Sequence, residues 1–256
     1  GGAADIAGGG VVAQIGVDLG VLVALQHRVH VEPVTEGELP VRHRVVHLEQ
    51  LLCALLGVAT ASAAPMGFEE SWMAMGDASE NWRETWVNYA LTPRDAVGAG
   101  YIFMRADDKT KQRKLAEMNY TRLLHRWNLP NAQANVWLFG SLGRMSGNDF
   151  SGSKTAYAPG VQLDYETTRV YFAATSRLYR AEGIKHDFNS LRAGFSFYKA
   201  EYDETQPWLV VEARRMQGLS DKLELTPMLR LINKNYFIEA GVNNSRQLRF
   251  NLMYIF

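Results

Sequence analysis

Charged side chains at alternate positions are the residues of this 256-residue chain with the clearest potential for chemistry. Arginines and carboxylates alternate with apolar residues in its C-terminal part, so an extended backbone would carry them on one face. Opposite charges on neighbouring strands can pair, and arginines around a pore bias which solutes pass. The residues predicted to line such a pore are Arg169, Arg177, Arg192, Glu212, Arg214, Glu224, Arg230, Glu239 and Arg249.

Two histidines and two serines are the candidates for hydrolytic chemistry. A hydrolase needs a serine activated by a histidine that a third polar group orients. His186 precedes Asp187 in a predicted turn, His125 lies near a predicted strand end, and Ser151 and Ser153 lie in a Gly- and Ser-rich segment that favours a turn. No spacing indicates a triad, so no catalytic residue is predicted, and an outer-envelope lipid hydrolase is kept only as an alternative.

Metal and nucleic-acid chemistry have little support. Met66, Met73 and Met75 are close in sequence, and thioethers are soft ligands suited to Cu(I), so copper handling is a second alternative. Methionine is also a general filler of apolar space. The 27 basic residues balance 27 acidic ones, which excludes a strongly basic nucleic-acid binder. No phosphate-binding glycine loop or dinucleotide fingerprint is present, and no cofactor or metal site is predicted.

The first sixty residues differ from the rest in composition. Arg42 and Arg44 precede an apolar run over residues 51–59, which ends in small residues up to Ala63. This order is typical of a secretory signal peptide, predicted at residues 41–63 with cleavage after Ala63. Residues 1–40 contain no aromatic residue and are predicted to be non-native upstream translation or disordered. The predicted mature chain, residues 64–256, has no Cys, which suits an oxidising compartment.

The C-terminal segment shows the kind of secondary structure, an alternating strand, that must position the charges. Leu248, Phe250, Leu252, Tyr254 and Phe256 share one face of an extended segment, and mostly polar residues share the other. The same period of two recurs backwards through the chain. Counted back, strands are predicted to end near Phe256, Val242, Asn233, Met216, Lys199, Tyr179, Glu166, Arg144, Trp127, Arg105 and Leu91, with a further strand around Trp72–Gly76.

About twelve such strands favour a closed membrane barrel over a soluble sandwich. A sandwich would bury the apolar faces and expose the charged ones, whereas a membrane barrel turns the apolar faces to lipid and encloses the charges. Barrel connections alternate between short turns at one rim and longer loops at the other. The longer loops are predicted at Ala106–Arg113, Met145–Thr155, Ala181–Asn189 and Gln217–Lys222. Arg122 departs from the pattern, which indicates either a bulge or a place near lipid headgroups.

The signal peptide, the alternating strands and the ending Tyr254-Ile255-Phe256 resemble Gram-negative outer-membrane β-barrel proteins. The resemblance covers about Trp72–Phe256 and concerns the class, not a subfamily. It implies an all-β, closed antiparallel transmembrane barrel in the outer membrane, with the lipid bilayer, lipopolysaccharide, the barrel-assembly machinery and small solutes as partners. It also implies that Tyr254 and Phe256 belong to an assembly signal. The predicted role is a narrow passive channel or a structural envelope protein.

Overall fold

The computed structural model describes residues 64–200, 204–220 and 222–256, so the predicted upstream segment and signal peptide lie outside the described residues. Within them, no helix is long and apolar enough to cross a bilayer. The strands, in chain order, are β1 Trp72–Ala78, β2 Trp82–Ala90, β3 Asp95–Arg105, β4 Gln112–Leu129, β5 Ala132–Gly147, β6 Ser153–Tyr157, β7 Gly160–Thr167, β8 Val170–Ala181, β9 Ile184–Ser196, β10 Gln206–Gln217, β11 Leu223–Ile232, β12 Tyr236–Val242 and β13 Leu248–Ile255.

The strands form one sheet that closes on itself. Neighbours are antiparallel all the way round, and β1 pairs with both β2 and β13. β6 and β7 both pair with β5 and act as one strand, interrupted at Pro159, which has no N–H for the ladder. The described strands therefore occupy twelve positions around a barrel, which confirms the predicted fold class.

Alternation along each strand separates two environments. In β11, Glu224, Thr226, Met228 and Arg230 are buried, and the leucines between them are exposed. Since side chains on a strand alternate between faces, the buried set points into the barrel and the exposed set points away from it. The outward set carries most of the exposed large apolar residues, among them Leu142, Leu163, Phe172, Leu191, Leu209, Leu225, Leu229, Leu231, Leu248, Phe250 and Leu252.

The barrel has two rims, which we name by their connections. The C-terminal rim holds the chain end Phe256 and the connections at residues 91–94, 130–131, 168–169, 197–205 and 233–235. The distal rim holds the connections at residues 79–81, 106–111, 148–152, 182–183, 218–222 and 243–247. The longest connection, at 197–205, lies at the rim predicted to have short turns.

One predicted loop is wrong. Ala181–Asn189 is mostly strand, because Ala181 pairs directly with Ile184 and leaves a two-residue turn. Gly183 in that turn has a φ of 71°, which glycine adopts without a steric penalty. The polar residues that follow the turn alternate between the two faces of β9 like those of any other strand.

Arg122 points away from the barrel interior, and a bulge, which was one of the two explanations offered for it, occurs just after it. The side chain is exposed on the outward face of β4, where the guanidinium contacts Asp95 at 3.0 Å and the hydroxyl of Tyr120 at 3.2 Å. The pairing of β4 with β5 shifts between Leu123 and His125, which is a β-bulge. The bulge therefore follows Arg122 and does not turn it inward.

Candidate functional site: the barrel interior

Glu239 is the centre of one group of interior charges. It accepts from the Nε of Arg230 at 2.7 Å, from Asn251 at 2.6 Å and from Arg192. Arg230 and Glu239 are opposite each other on β11 and β12, so the sheet register brings them together. The guanidinium of Arg230 also lies over the ring of Tyr171, at 4.6 Å from its centroid, which is a cation–π geometry.

A second group joins strands that are not neighbours. Arg249 on β13 contacts Asp77 on β1 at 2.8 Å and Glu212 on β10 at 3.0 Å. Arg214 on β10 contacts Glu224 at 2.5 Å and donates to the hydroxyl of Ser79 at 3.0 Å. β10 and β13 are three positions apart around the ring, so the contact between Arg249 and Glu212 passes through the interior.

Arg177 spans the barrel from one side to the other. From β8 it reaches Glu84 on β2 at 2.6 Å and Glu117 on β4 at 3.1 Å. β8 and β2 are five positions apart in a ring of twelve, which is close to opposite. Trp82 donates to Glu84 at 3.1 Å and Ser141 donates to Glu117 at 2.6 Å, so both carboxylates are held from a second direction. This bridge, which we call the Arg177 bridge, narrows the interior at its level.

Apolar clusters lie on both sides of the charges. Towards the distal rim, Trp82, Met104 and Tyr179 belong to one buried cluster. Towards the C-terminal rim, Trp208 and Phe237 belong to another. The interior is therefore filled with side chains over much of its length, as expected for a barrel between the filled eight-strand and open sixteen-strand sizes.

The segment before β1 enters the barrel at the C-terminal rim. Met66 is buried against Leu123 and Trp137, and the carbonyl of Pro65 accepts from Asn88 at 3.1 Å. Pro65 also lines the interior cavity described next. We call residues 64–66 the N-terminal strap.

A cavity of about 150 Å³ remains between the charged groups. Its wall includes Arg177, Arg192, Arg249, Glu212 and Asp77. Among the described residues, no protein partner satisfies the Nε atoms of the three arginines or Oδ1 of Asp77. Buried polar atoms of this kind are commonly satisfied by water, and the cavity, which has these polar atoms in a partly apolar wall, is large enough for several water molecules.

The structure places eight of the nine predicted pore-lining residues inside the barrel, although their role in a pore stays a prediction. Arg169 is the exception. It lies in the exposed connection between β7 and β8, where alternation has stopped, and its guanidinium donates to the carbonyls of Ser196 at 3.2 Å and Phe197 at 3.1 Å. The eight interior residues are Arg177, Arg192, Glu212, Arg214, Glu224, Arg230, Glu239 and Arg249.

The carboxylates that hold Arg177 and Arg249 from the N-terminal strands were not among the predicted pore-lining residues. Asp77, Glu84 and Glu117 hold Arg177 or Arg249, yet they come from the N-terminal half of the barrel, where aromatic residues share the inward face. In β2 the inward set is Trp82, Glu84, Trp86, Asn88 and Ala90. The sequence alternates there with a period of two. This alternation would have identified Glu84 if the prediction had accepted large apolar residues on the inward, charged face.

The histidines considered for hydrolysis do not form a site with a serine, and the methionines considered for copper binding do not form one cluster. His186 is buried beside Trp82 and approaches the carbonyl of Gln217 at 3.2 Å, while His125 is exposed and packs against Trp127 with the two rings tilted. Among the described residues, neither histidine hydrogen-bonds a serine, and no three His, Cys, Asp or Glu side chains are arranged to hold a metal. Met66 packs in a different cluster from Met73 and Met75.

The predicted assembly signal lies on the seam that closes the barrel. Phe256 and Trp72 exchange two backbone hydrogen bonds of 2.9 Å each. Tyr254 pairs with Ala74, points outward and stacks with Phe256 at 5.9 Å between ring centroids. The last residues of the chain are therefore part of the closing contact between β13 and β1.

Solved structures give the comparisons with known proteins. The KdgM porin is 13% identical over 73% of this chain and 98% of its own, with a TM-score of 0.43. The KdgM porin in complex with disordered oligogalacturonate is 14% identical, with the same coverage and TM-score. OccK11 (OpdR) of Pseudomonas aeruginosa is 11% identical over 71% of this chain and 62% of its own, with a TM-score of 0.36. No family model and no curated protein sequence matches the chain.

The likeness to these porins is one of fold. The identities are too low to carry a bound solute from one protein to the other.

Proposed function

We propose that this chain is an outer-membrane β-barrel that acts as a narrow passive channel for small hydrophilic solutes. The observation that carries the proposal is a cavity lined by arginines and carboxylates inside a closed barrel whose outward face is apolar. In water such an outward face would be costly, whereas in a bilayer it meets hydrocarbon and every backbone group is satisfied by closure.

The interior chemistry favours small polar solutes. The cavity wall offers both donors and acceptors, including arginine N–H groups with no described protein partner. These groups can exchange hydrogen bonds with water or with a hydrated solute at little cost, because the fixed charges around them are already compensated.

A structural envelope protein is the second candidate, and the Arg177 bridge favours it. The bridge and the two apolar clusters leave little continuous space along the barrel axis. If the bridge never opens, the barrel conducts nothing and its interior charges serve rigidity alone.

Planar-bilayer conductance of the protein separates the two candidates. We expect small stepwise currents, and larger steps when Glu84→Gln, Glu117→Gln and Arg177→Gln are combined, because this triple variant removes the bridge without leaving an unpaired charge. Arg122→Gln, which changes an outward arginine, is the matched control and leaves the current unchanged.

Correct folding of each variant is checked by heat-modifiable gel migration. If the wild type and the triple variant are both folded and neither carries a current, the structural role is favoured. A silent protein that cleaves phospholipid would instead support the hydrolase alternative.

We further propose export by a signal peptide at residues 41–63, cleaved after Ala63, and assembly through the C-terminal signal. Deleting Phe256 removes the exchange of hydrogen bonds with Trp72, so we expect impaired insertion in cells. Normal insertion without Phe256 would contradict an assembly role. Peptides from residues 1–40 in the native protein, detected by mass spectrometry, would contradict the proposed upstream origin of that segment.

A further inference from the structure

The N-terminal strap lies inside the barrel at the C-terminal rim, against one side of the wall. Met66 is only 5% exposed. Ala90 and Ala96 face each other on β2 and β3, and their short side chains leave the space that Met66 fills. The strap therefore packs against inward residues of β2, β3, β4 and β5, namely Ala90, Ala96, Leu123 and Trp137.

A tight turn before β1 directs the strap into the interior. The N–H and the hydroxyl of Ser71 both donate to the carbonyl of Phe68, at 3.1 Å and 2.6 Å, and Glu70 has a φ of 61°. A Cβ added to Gly67 would lie 2.4 Å from the hydroxyl of Ser71, so only glycine fits there without a shift. The turn is fixed to β2 by two backbone hydrogen bonds, one from Glu70 to Ala90 at 2.8 Å and one from Ala90 to Ser71 at 3.0 Å. The chain therefore reverses at a fixed point, with the strap on its inner side.

The strap completes the closure of the cavity towards the C-terminal rim. On the side formed by β1 and β10–β13, inward side chains of the strands fill the interior, among them Trp208 and Phe237. On the side formed by β2–β5, the strap fills it, and Pro65 forms part of the cavity wall. A strand side chain is held in place by the hydrogen-bonded ladder of the sheet, whereas the strap precedes β1 and belongs to no ladder. The strap is therefore the part of this closure that can move while the barrel stays intact.

The attachment of the strap to the wall is light compared with the Arg177 bridge. Its contacts with the described residues include a hydrogen bond of 3.1 Å from Asn88 to the carbonyl of Pro65 and the burial of the Met66 side chain. Its three side chains are uncharged and form no ion pair. Cleavage after Ala63, as proposed above, leaves the strap as a free chain end, which can swing out from the turn without disturbing β1.

The wall behind the strap is partly polar. Asn88 and Thr121 point inward from β2 and β4 and are 0% and 3% exposed, and Thr121 is directly opposite Ala96. The Oδ1 atom of Asn88 has no protein partner among the described residues. A wall that only had to bury a permanent plug would be most stable if it were apolar, whereas amide and hydroxyl groups can exchange the strap for water.

We propose that the N-terminal strap is the gate of the channel at the C-terminal rim. With the strap in place, Pro65 and Met66 close the path along β2–β5; when the strap withdraws, the cavity opens to water along Asn88 and Thr121. The inference rests on the proposed channel and the proposed cleavage, and it goes beyond them by assigning the moving part. The Arg177 bridge then sets the height of each current step, and the strap sets the fraction of time for which the channel is open.

Planar-bilayer recordings of the protein purified from outer membranes test the gate. The test variant, Met66→Ser, removes the apolar contact that holds the strap. The matched control, Met118→Ser, makes the same change on the outward face of β4, where Met118 is 75% exposed. We expect the ratio of open to closed time to rise roughly 10- to 30-fold for Met66→Ser at an unchanged step height, because the burial of this methionine stabilises the closed state alone. The control keeps the wild-type ratio.

Thiol labelling gives a readout that does not depend on a current. The predicted mature chain contains no Cys, so Met66→Cys and Met73→Cys each introduce a single thiol at a buried methionine. Met73 lies on β1 and is 0% exposed. We expect a water-soluble maleimide to react roughly 10-fold faster with the Met66→Cys protein, because the strap opens locally while β1 opens only when the barrel unfolds.

Equal labelling rates of the two thiol variants, or a wild-type ratio of open to closed time for Met66→Ser, would overturn the gate. Heat-modifiable gel migration checks that each variant is folded. If the wild type conducts and the gate is overturned, the proposed channel stands without it. If none of the folded proteins carries a current, the proposed channel fails and the gate fails with it.

Discussion

Ion pairs occupy two environments in this barrel, and the difference between them decides what each contributes. Arg230 and Glu239 face each other inside, with side chains that are 1% and 0% exposed. Arg122 and Asp95 face each other on the outward surface, with side chains that are 49% and 21% exposed. Losing one partner inside leaves a charge that water cannot reach, whereas losing one outside leaves a charge that remains solvated. Breaking an ion pair inside the barrel should therefore cost much more stability than breaking one on its outward surface.

The largest expected effect follows from neutralising the centre of the interior charges. Glu239→Gln deprives both Arg192 and Arg230 of their main partner, since both guanidinium groups contact this one carboxylate. We expect a loss of about 3–5 kcal/mol in the free energy of unfolding, because buried Arg230 loses its carboxylate partner and buried Arg192 keeps only Glu212, at 3.9 Å. Denaturant unfolding in detergent micelles measures it. A loss as small as that of Asp95→Asn would mean that the two environments do not differ.

The buried pair of Arg214 and Glu224 tests the same difference between interior and surface ion pairs, with a smaller expected change in stability. Glu224→Leu alone leaves Arg214 buried and without its closest partner, and we expect a loss of about 3 kcal/mol. Adding Arg214→Met removes the stranded charge and replaces the pair with apolar groups. The double variant should therefore be more stable than the single one, by about 1 kcal/mol or more, although Ser79 also loses its contact with Arg214.

Unfolding curves of the four proteins in this cycle measure the coupling directly. Losses that simply add would show that the interior pair behaves like a surface pair.

Strand existence and strand ends were predictable because alternation is a local property. In β11, Glu224, Thr226, Met228 and Arg230 alternate with leucines and Pro227, and the predicted end of the strand lies one residue from the observed one. All twelve predicted strands end within three residues of the observed ends. The short strand β6 was missed, because a Gly- and Ser-rich segment precedes it and Pro159 follows it.

Partners across the barrel could not be predicted, because no local pattern contains them. Arg177 and Glu84 are 93 residues apart in the chain, and they meet only because the sheet closes with β8 nearly opposite β2.

The ion pair between Asp95 and Arg122, on the outward surface, should contribute little to stability. Asp95→Asn removes the partner of Arg122, but both groups are accessible to water and to salt. We expect an unfolding midpoint close to that of wild type, and a difference that disappears at high ionic strength. Comparing midpoints at low and high salt checks this. A large loss that persists in high salt would place this pair with the interior ones.

The smallest expected effect is local and depends on pH. Glu80 joins three connections of the distal rim, because it contacts Lys109 at 2.9 Å, Arg105 at 3.3 Å and Gln247 at 2.8 Å. The hydrogen bond from Lys109 and its charge lower the pKa of Glu80 below its ordinary value of 4.5. A depressed pKa means that the charged form stabilises the folded state: this contribution is complete above the ordinary pKa and is lost as the pH falls through the lowered one. The loop at residues 106–111 should therefore become more sensitive to an acid-active protease below pH 4.5, with the barrel itself intact. Glu80→Gln should show the increased sensitivity at every pH, and if it instead retains the pH step of wild type, another group controls the loop.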